Sequence, residues 1–345
     1  MESPVFNRLL GPAAGMTVLL CAAMISFSGC HKEPGKPVLV VYCSADQEYA
    51  EPILAEFQKK TGIQLQVRYD SEANKTVGLI QRLRAEKAQP VADVFWSNEV
   101  FHTIRLAQEG LLQPYRSNKL PACGAYCAGD ACWHGMALRA RAIAYNPQRV
   151  KAEQAPRRLE DLLAAKWKGR LAMAGPQFGT TGGDVASWFV HYGPEQARRI
   201  LQGLADNKVR LADSNSAAVK LVATGQVDAA LTDTDDVYAA QRNGWSVAMN
   251  LLDQDGQGAL VIPNTVAIVR NGPHADLAGR LVEYLLSQAV EEALATSDAH
   301  NTPADPVLRE KFKQYEIPHP LKIDYAKVSQ AMPEALAAAN EVLKP

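Results

Sequence analysis

The chain has 345 residues, of which 47% are hydrophobic, 21% charged and 7% aromatic. That balance excludes a disordered or collagen-like chain, and the length suggests two domains. Thirty-six Lys and Arg stand against 37 Asp and Glu, a formal net charge of −1, so the chain carries no basic footprint for nucleic acid.

The first thirty residues read as an address. Arg8 and the amino terminus make a positive start, and the apolar run 16–27 follows. That run is shorter than the ~20 residues a membrane-spanning helix needs. It ends in Phe27-Ser28-Gly29-Cys30, which is similar to a bacterial lipobox, and a polar tether follows. The reading is a lipoprotein signal peptide over 1–29, lipidation at Cys30, a tether over 30–36, and a protein exported to the periplasm or cell surface and held to a membrane by acyl chains. An ordinary secretory signal ending near a cysteine is the alternative. Four cysteines then remain, Cys43, Cys123, Cys127 and Cys132. An exported chain permits disulfides, so a local disulfide pinning a surface loop is expected, with the pairing open. Zinc on the three clustered cysteines and His134 is the weaker alternative, because the spacing is not a usual zinc spacing.

From Pro37 the pattern alternates. The continuous apolar run Val38–Tyr42 predicts a strand buried on both faces. The polar turn Ser44-Ala45-Asp46-Gln47 leads into a helix with Pro52 in its first turn and Ile53, Leu54 and Phe57 on one face, ending at Gly62. Ile63, Leu65, Val67 and Tyr69 alternate with polar residues as a second strand. A helix over 73–88, a strand over 92–96 and a helix over 99–110 follow. This β-α-β-α-β-α order predicts an α/β lobe with a largely parallel sheet. The pattern repeats: strands at 142–146, 171–174, 209–212, 228–231, 246–249 and 266–269, with helices between them and long helices after His274. Two α/β units without a flexible linker predict two lobes, 37–138 with 265–345 and 139–264, joined by crossover strands at 141–146 and 264–269, with a cleft between them.

Several segments together resemble periplasmic solute-binding proteins of bacterial ABC importers, in particular the iron(III)-binding branch of the type II fold. They are Val40-Val41-Tyr42-Cys43-Ser44-Ala45-Asp46, Phe57–Ile63, Ala92-Asp93-Val94-Phe95-Trp96-Ser97-Asn98-Glu99, Glu109–Tyr115, Lys166–Arg170 and Gly225–Leu231. In order and spacing they cover residues 38–305. The resemblance implies a two-lobed α/β fold with a hinge and an interlobe cleft, closing on a ligand that is handed to a permease driven by its ATPase subunit. It also implies a monomer.

Carried over residue by residue, the resemblance frays. Iron(III) members hold the ion with two adjacent tyrosines, a His and a Glu, often with phosphate or carbonate. Here the tyrosine pair falls on Asp235 and Asp236, the His on Asp46, and the Glu on Asn98, with Glu99 beside it. The expected metal ligands are therefore Asp46, Glu99, Asp235 and Asp236, since carboxylate oxygens suit ferric iron or another hard cation. Thr232–Asp236 also reads as an ordinary helix start, and both readings can hold together. The loop Thr180-Thr181-Gly182-Gly183 before a helix is the expected anion site. Ser44, Lys75, Asn98 and Asp233 are further candidates for contact with the ligand. A second class of function is a receptor for a small organic ligand such as an aminoalkylphosphonate, its amine held by the acids. A hydrolase is disfavoured, because no Gly-x-Ser-x-Gly, His-Glu-x-x-His, Walker A or Gly-x-Gly-x-x-Gly motif occurs. No catalytic residue and no catalytic cofactor is expected.

Overall fold

The first apolar run becomes an interior strand. In the computed structural model, which describes residues 38–70, 76–118, 126–177 and 179–343, β1 (Val38–Cys43) lies between β2 (Gln64–Tyr69) and β3 (Val94–Ser97) and is parallel to both. Its residues Leu39, Val41 and Cys43 pack on one side against α1 (Gln47–Thr61), and Tyr42 packs on the other. Helix α1 ends as expected, with Gly62 in the left-handed region at φ 70° and its N–H on the Gln58 carbonyl. It begins five residues before Pro52, so that proline lies inside the helix rather than in its first turn. The remaining elements of this half are α2 (Val77–Ala85), α3 (Phe101–Gln108) and the short β4 (Leu112–Gln113).

β5 (His134–Tyr145) is the structural spine, and it starts earlier than the apolar run 142–146 suggested. Its first half pairs antiparallel with β10 (Val261–Val269), and its second half pairs with β8 (Ala229–Asp233) and β9 (Ala248–Leu251). β8 in turn is parallel to β6 (Leu171–Ala174), which is parallel to β7 (Arg210–Ala212). The strand order is β2-β1-β3-β10-β5-β8-β6-β7. Each end of the sheet is a parallel α/β unit, and the two crossing strands run antiparallel to their neighbours. All twelve residues of β5 and all nine of β10 are buried, as strands covered on both faces must be.

Helices α4 (Gly179–His191), α5 (Pro194–Asp206), α6 (Asn215–Ala223) and α7 (Thr234–Arg242) cover the second half. Helices α8 (Ala275–Leu285), α9 (Gln288–Thr296) and α10 (Pro306–Lys311) return to the first. The last helix, α11 (Tyr325–Val342), packs mainly on α4, with further contact to α3 and α5, and Ser329 Oγ donates to the Phe101 carbonyl at 2.8 Å. Assigning 265–345 wholly to the first lobe therefore does not describe α11, whose apolar face needs α4 to bury it. Cys127 is disulfide-bonded, Cys132 is a buried free thiol, and His134 Nε2 lies 2.8 Å from the Tyr115 carbonyl. These commitments remove the zinc alternative. Cys123, like Cys30 and Lys75, lies outside the described residues.

The crossover carries a buried acid. Between Pro263 and Asn264 the β5–β10 register slips, and Ala137 opposite adopts φ 45°. Glu291 of α9 accepts the Ala137 N–H at 3.0 Å and the Ala304 N–H at 2.7 Å. Burial raises its carboxyl to about 7, against the lowering effect of those N–H groups. The folded value lies above the unfolded one, so this group favours folding most at low pH and loses that contribution as pH rises through about 7. Between pH 5.5 and 8.5, Glu291→Gln should lose less stability than the wild type, by about 2 kcal/mol. Parallel pH slopes in urea melts of the two proteins would remove Glu291 as the cause.

Candidate functional site

In β5 the sequence Leu138-Arg139-Ala140-Arg141 places two arginines on one face of an otherwise apolar strand. Both are buried, at 5% and 1% exposure. Arg141 Nε donates to Asp184 Oδ2 at 2.9 Å and Nη1 to Asp233 Oδ1 at 2.8 Å. Asp233, at the end of β8, also accepts from Thr180 Oγ1 at 2.5 Å and Asn215 Nδ2 at 2.9 Å. Burial alone would raise the Asp233 carboxyl, but Arg141 and Arg139 hold it below the usual carboxylate range. Asp184 is raised by burial, with Arg141 working against that shift. This network forms the floor of the site, with Arg141 Nη2 and Arg139 Nε the guanidinium atoms in it that are buried without a hydrogen bond.

Above the floor is a cavity of about 250 Å³. One wall is Asp46, Glu48 and Tyr49 at the start of α1, with Asn98 after β3. The other is Gly179 and Thr180 of α4, residues 213–216 at the start of α6, Asp233, and Asp235 and Asp236 in the first turn of α7. Asn243 and Trp245, after α7, complete it. Among the described residues its charged lining is six carboxylates (Asp46, Glu48, Asp213, Asp233, Asp235, Asp236) and one guanidinium, Arg139. Carboxylate oxygens of Asp233, Asp235 and Asp236 lie within 4.8 Å of one another. Such a set suits a hard cation. Asp233 accepts from an arginine, a hydroxyl and an amide, Asp235 Oδ1 accepts the Asp236 N–H at 3.1 Å while its Oδ2 lies 3.3 Å from Arg139 Nη1, and Asp236 Oδ2 accepts from Thr232 Oγ1 at 3.4 Å. Of the helix-start reading of Thr232–Asp236, the position holds and the cap bond does not: Asp233 occupies the N-cap position of α7 but makes no side-chain cap hydrogen bond, while Asp235 and Asp236 lie in the first turn.

The sequence expectations divide. Asp46, Asn98, Thr180, Asp233, Asp235 and Asp236 are brought to one cavity. Glu99 is not brought to the cavity: it is fully buried and turned toward the start of α3, accepting from the Phe101 N–H at 2.7 Å and the His102 N–H at 3.2 Å. Ser44 is also buried, and its hydroxyl donates to Asn98 Oδ1 at 3.3 Å, so it positions Asn98 and makes no wall itself. The glycines of the expected anion loop sit inside α4 and serve helix packing. A Cβ on Gly182 would stand 2.6 Å from the Pro176 carbonyl oxygen, and one on Gly183 2.1 Å from the Phe101 ring. Thr181 donates to Asn215 Oδ1 at 3.2 Å. Asp233 lines the cavity and is held there by Arg141, Thr180 and Asn215. Arg139, Asn215, Tyr49 and Trp245 were not anticipated. A pair of arginines two apart in an apolar strand was the available signal for the first. Tyr49 lies one turn into α1, and burial, then Glu48, raise its phenol.

The family model for bacterial extracellular solute-binding proteins matches residues 39–297, and the chain belongs to that family. Iron uptake protein A1 of Synechocystis sp. is 26% identical over 319 residues, covering 86% of this chain and 87% of that protein. The major ferric iron-binding protein of Neisseria meningitidis serogroup B is 24% identical over 283 residues, 80% of this chain and 82% of that protein. The crystal structure of iron-bound HitA from Pseudomonas aeruginosa superposes with a TM-score of 0.77 at 28% identity, covering 88% of this chain and 99% of that one. The fold is the two-lobed periplasmic binding architecture, with β5 and β10 as its crossing strands.

Proposed function

We propose that this protein is the cargo-binding subunit of a bacterial ABC importer, and that it captures a hard cation, ferric iron foremost, in the cleft. It binds and delivers; it does not catalyse. The observation that carries this is the cleft lining, among the described residues, of six carboxylates and one arginine; by the family resemblance, Asp235 and Asp236 take the places of the tyrosines of the iron-binding branch. Carboxylates crowded in a partly dry cavity repel one another, and a cation relieves that repulsion most when the cleft is closed. Relatives named for ferric iron support the choice of metal. Phosphate or carbonate brought with the ion supplies oxygens in place of the missing phenolates, beside the hydroxyls of Ser214 and Ser216. An aminoalkylphosphonate fits less well, because it needs a cation for its acid group. The arginines on the cleft floor are already held by Asp184, Asp233 and Asp235. Thermal melts with Fe(III) citrate, Mn(II), Ca(II), Mg(II) and 2-aminoethylphosphonate separate the two: a shift with the phosphonate alone would overturn the metal reading.

The same reading places the protein in the periplasm or at the cell surface as a monomer, tethered through acylated Cys30 and docking on a permease with its ATPase. Among the described residues no helix is long and apolar enough to cross a membrane; the anchor proposed is the acyl group on Cys30 of the lipobox. Cys30→Ser should move the protein from the detergent-requiring membrane fraction to the soluble fraction. Wild-type protein recovered in the soluble fraction without detergent would show that no anchor is attached.

A further inference from the structure

The cleft that is to take a cation already contains one. Arg139 spans both walls from the floor: Nη2 donates to the Asn98 carbonyl on one side, while on the other Nη1 lies 3.3 Å from Asp235 Oδ2 and Nε 3.4 Å from Asp233 Oδ2. Arg141 beside it makes 2.8 and 2.9 Å hydrogen bonds to its carboxylates. The Arg139 contacts to carboxylate are longer, and its Nε, 3.4 Å from the nearest acid, makes no hydrogen bond. It is not locked in the bidentate fork that gives arginine–carboxylate pairs their strength. Burial disfavours its charge, and Asp235, Asp233, Asp46 and Asp236 together more than offset that. The carboxylates assigned to the cargo thus already act on this one guanidinium.

We propose that Arg139 is the resident counter-cation of the cleft, which the cargo displaces from Asp235, and that this exchange sets a charge threshold for what is captured. The inference rests on the cation reading above. Before loading, Arg139 neutralises Asp235 and lowers the self-repulsion of the site. On loading, the cation takes the Asp235 oxygen, and the guanidinium keeps Asp233 and the Asn98 carbonyl. Breaking the Arg139–Asp235 contact costs the same for every cargo. The attraction of the net-negative site grows with the charge of the ion. A trivalent ion clears that fixed cost, and a weakly held divalent ion does not.

The test is a calorimetric titration of wild-type, Arg139→Gln and Arg139→Lys proteins with Mn(II), Ca(II) and Fe(III) citrate. Because the exchange cost is common to every ion, Arg139→Gln should bind Mn(II), Ca(II) and Fe(III) alike at least about tenfold more tightly than the wild type, which brings the weakly held divalent ions past the threshold. Arg139→Lys keeps the charge and should keep the wild-type affinities. A purely structural arginine gives the opposite sign, with Arg139→Gln weaker toward every ion, and that result overturns the exchange while leaving the cation reading in place. Should Arg139→Gln fail to fold by circular dichroism, Arg139→Lys decides: tighter binding of Mn(II) and Ca(II) with the charge retained overturns the proposal. Absence of binding of any ion to the wild type overturns both.

Discussion

Replacing Asp235 and Asp236 together with alanine should remove most of the stabilisation that Fe(III) confers. A ligand at about a hundred times its Kd raises stability by about 2.7 kcal/mol, a shift of several degrees for a chain this long. Both residues lie in the first turn of α7, where their charges also favour the helix by about 0.3–1 kcal/mol each. Removing them relieves repulsion with Asp46 and Glu48 across the cavity, so the ligand-free melting temperature should move little. The informative quantity is the difference with and without metal. A full-size shift in the double variant would show that the ion binds elsewhere. Asp46→Ala, on the opposite wall, should give a smaller loss.

The largest effect on stability should come from Arg141→Met. Arg141 is 1% exposed and holds two carboxylates that are themselves almost fully buried, Asp184 and Asp233. Removing one partner of such a network leaves buried charge uncompensated, at a cost of about 3–5 kcal/mol. Urea denaturation should show that loss. Adding Asp184→Asn to Arg141→Met should recover part of it, because one fewer charge is then stranded. A change below about 1 kcal/mol would mean that water reaches these groups.

The fold was largely legible because its signals are local. Continuous apolar runs at 38–42, 142–146 and 266–269 mark strands covered on both faces, and Gly62 closes α1 as its position suggests. Strand limits were less legible: the beginning of β5, His134 to Met136, gains its strand character only by pairing with β10, more than a hundred residues away. Asp46, Asn98, Asp235 and Asp236 could be placed because each lies in a turn at a strand end or helix start, where α/β folds build ligand sites. Glu99 could not be judged in the same way, since one residue of displacement after β3 turns a side chain from the cleft toward the start of α3. Gly182 and Gly183 misled because glycine serves close helix packing and anion approach equally well, and only the Phe101 ring and the Pro176 carbonyl decide between them. The arginines of β5 carried a legible anomaly, two charges in an apolar strand, but their partners come from three separate segments.

The most direct test of a hard-cation cleft is elemental analysis, with native mass spectrometry, of protein purified from its membrane without chelators or refolding. One equivalent of iron, lost in the Asp235→Ala/Asp236→Ala variant, is the result expected here. A stoichiometric organic ligand with no bound metal, retained by that variant, would contradict it.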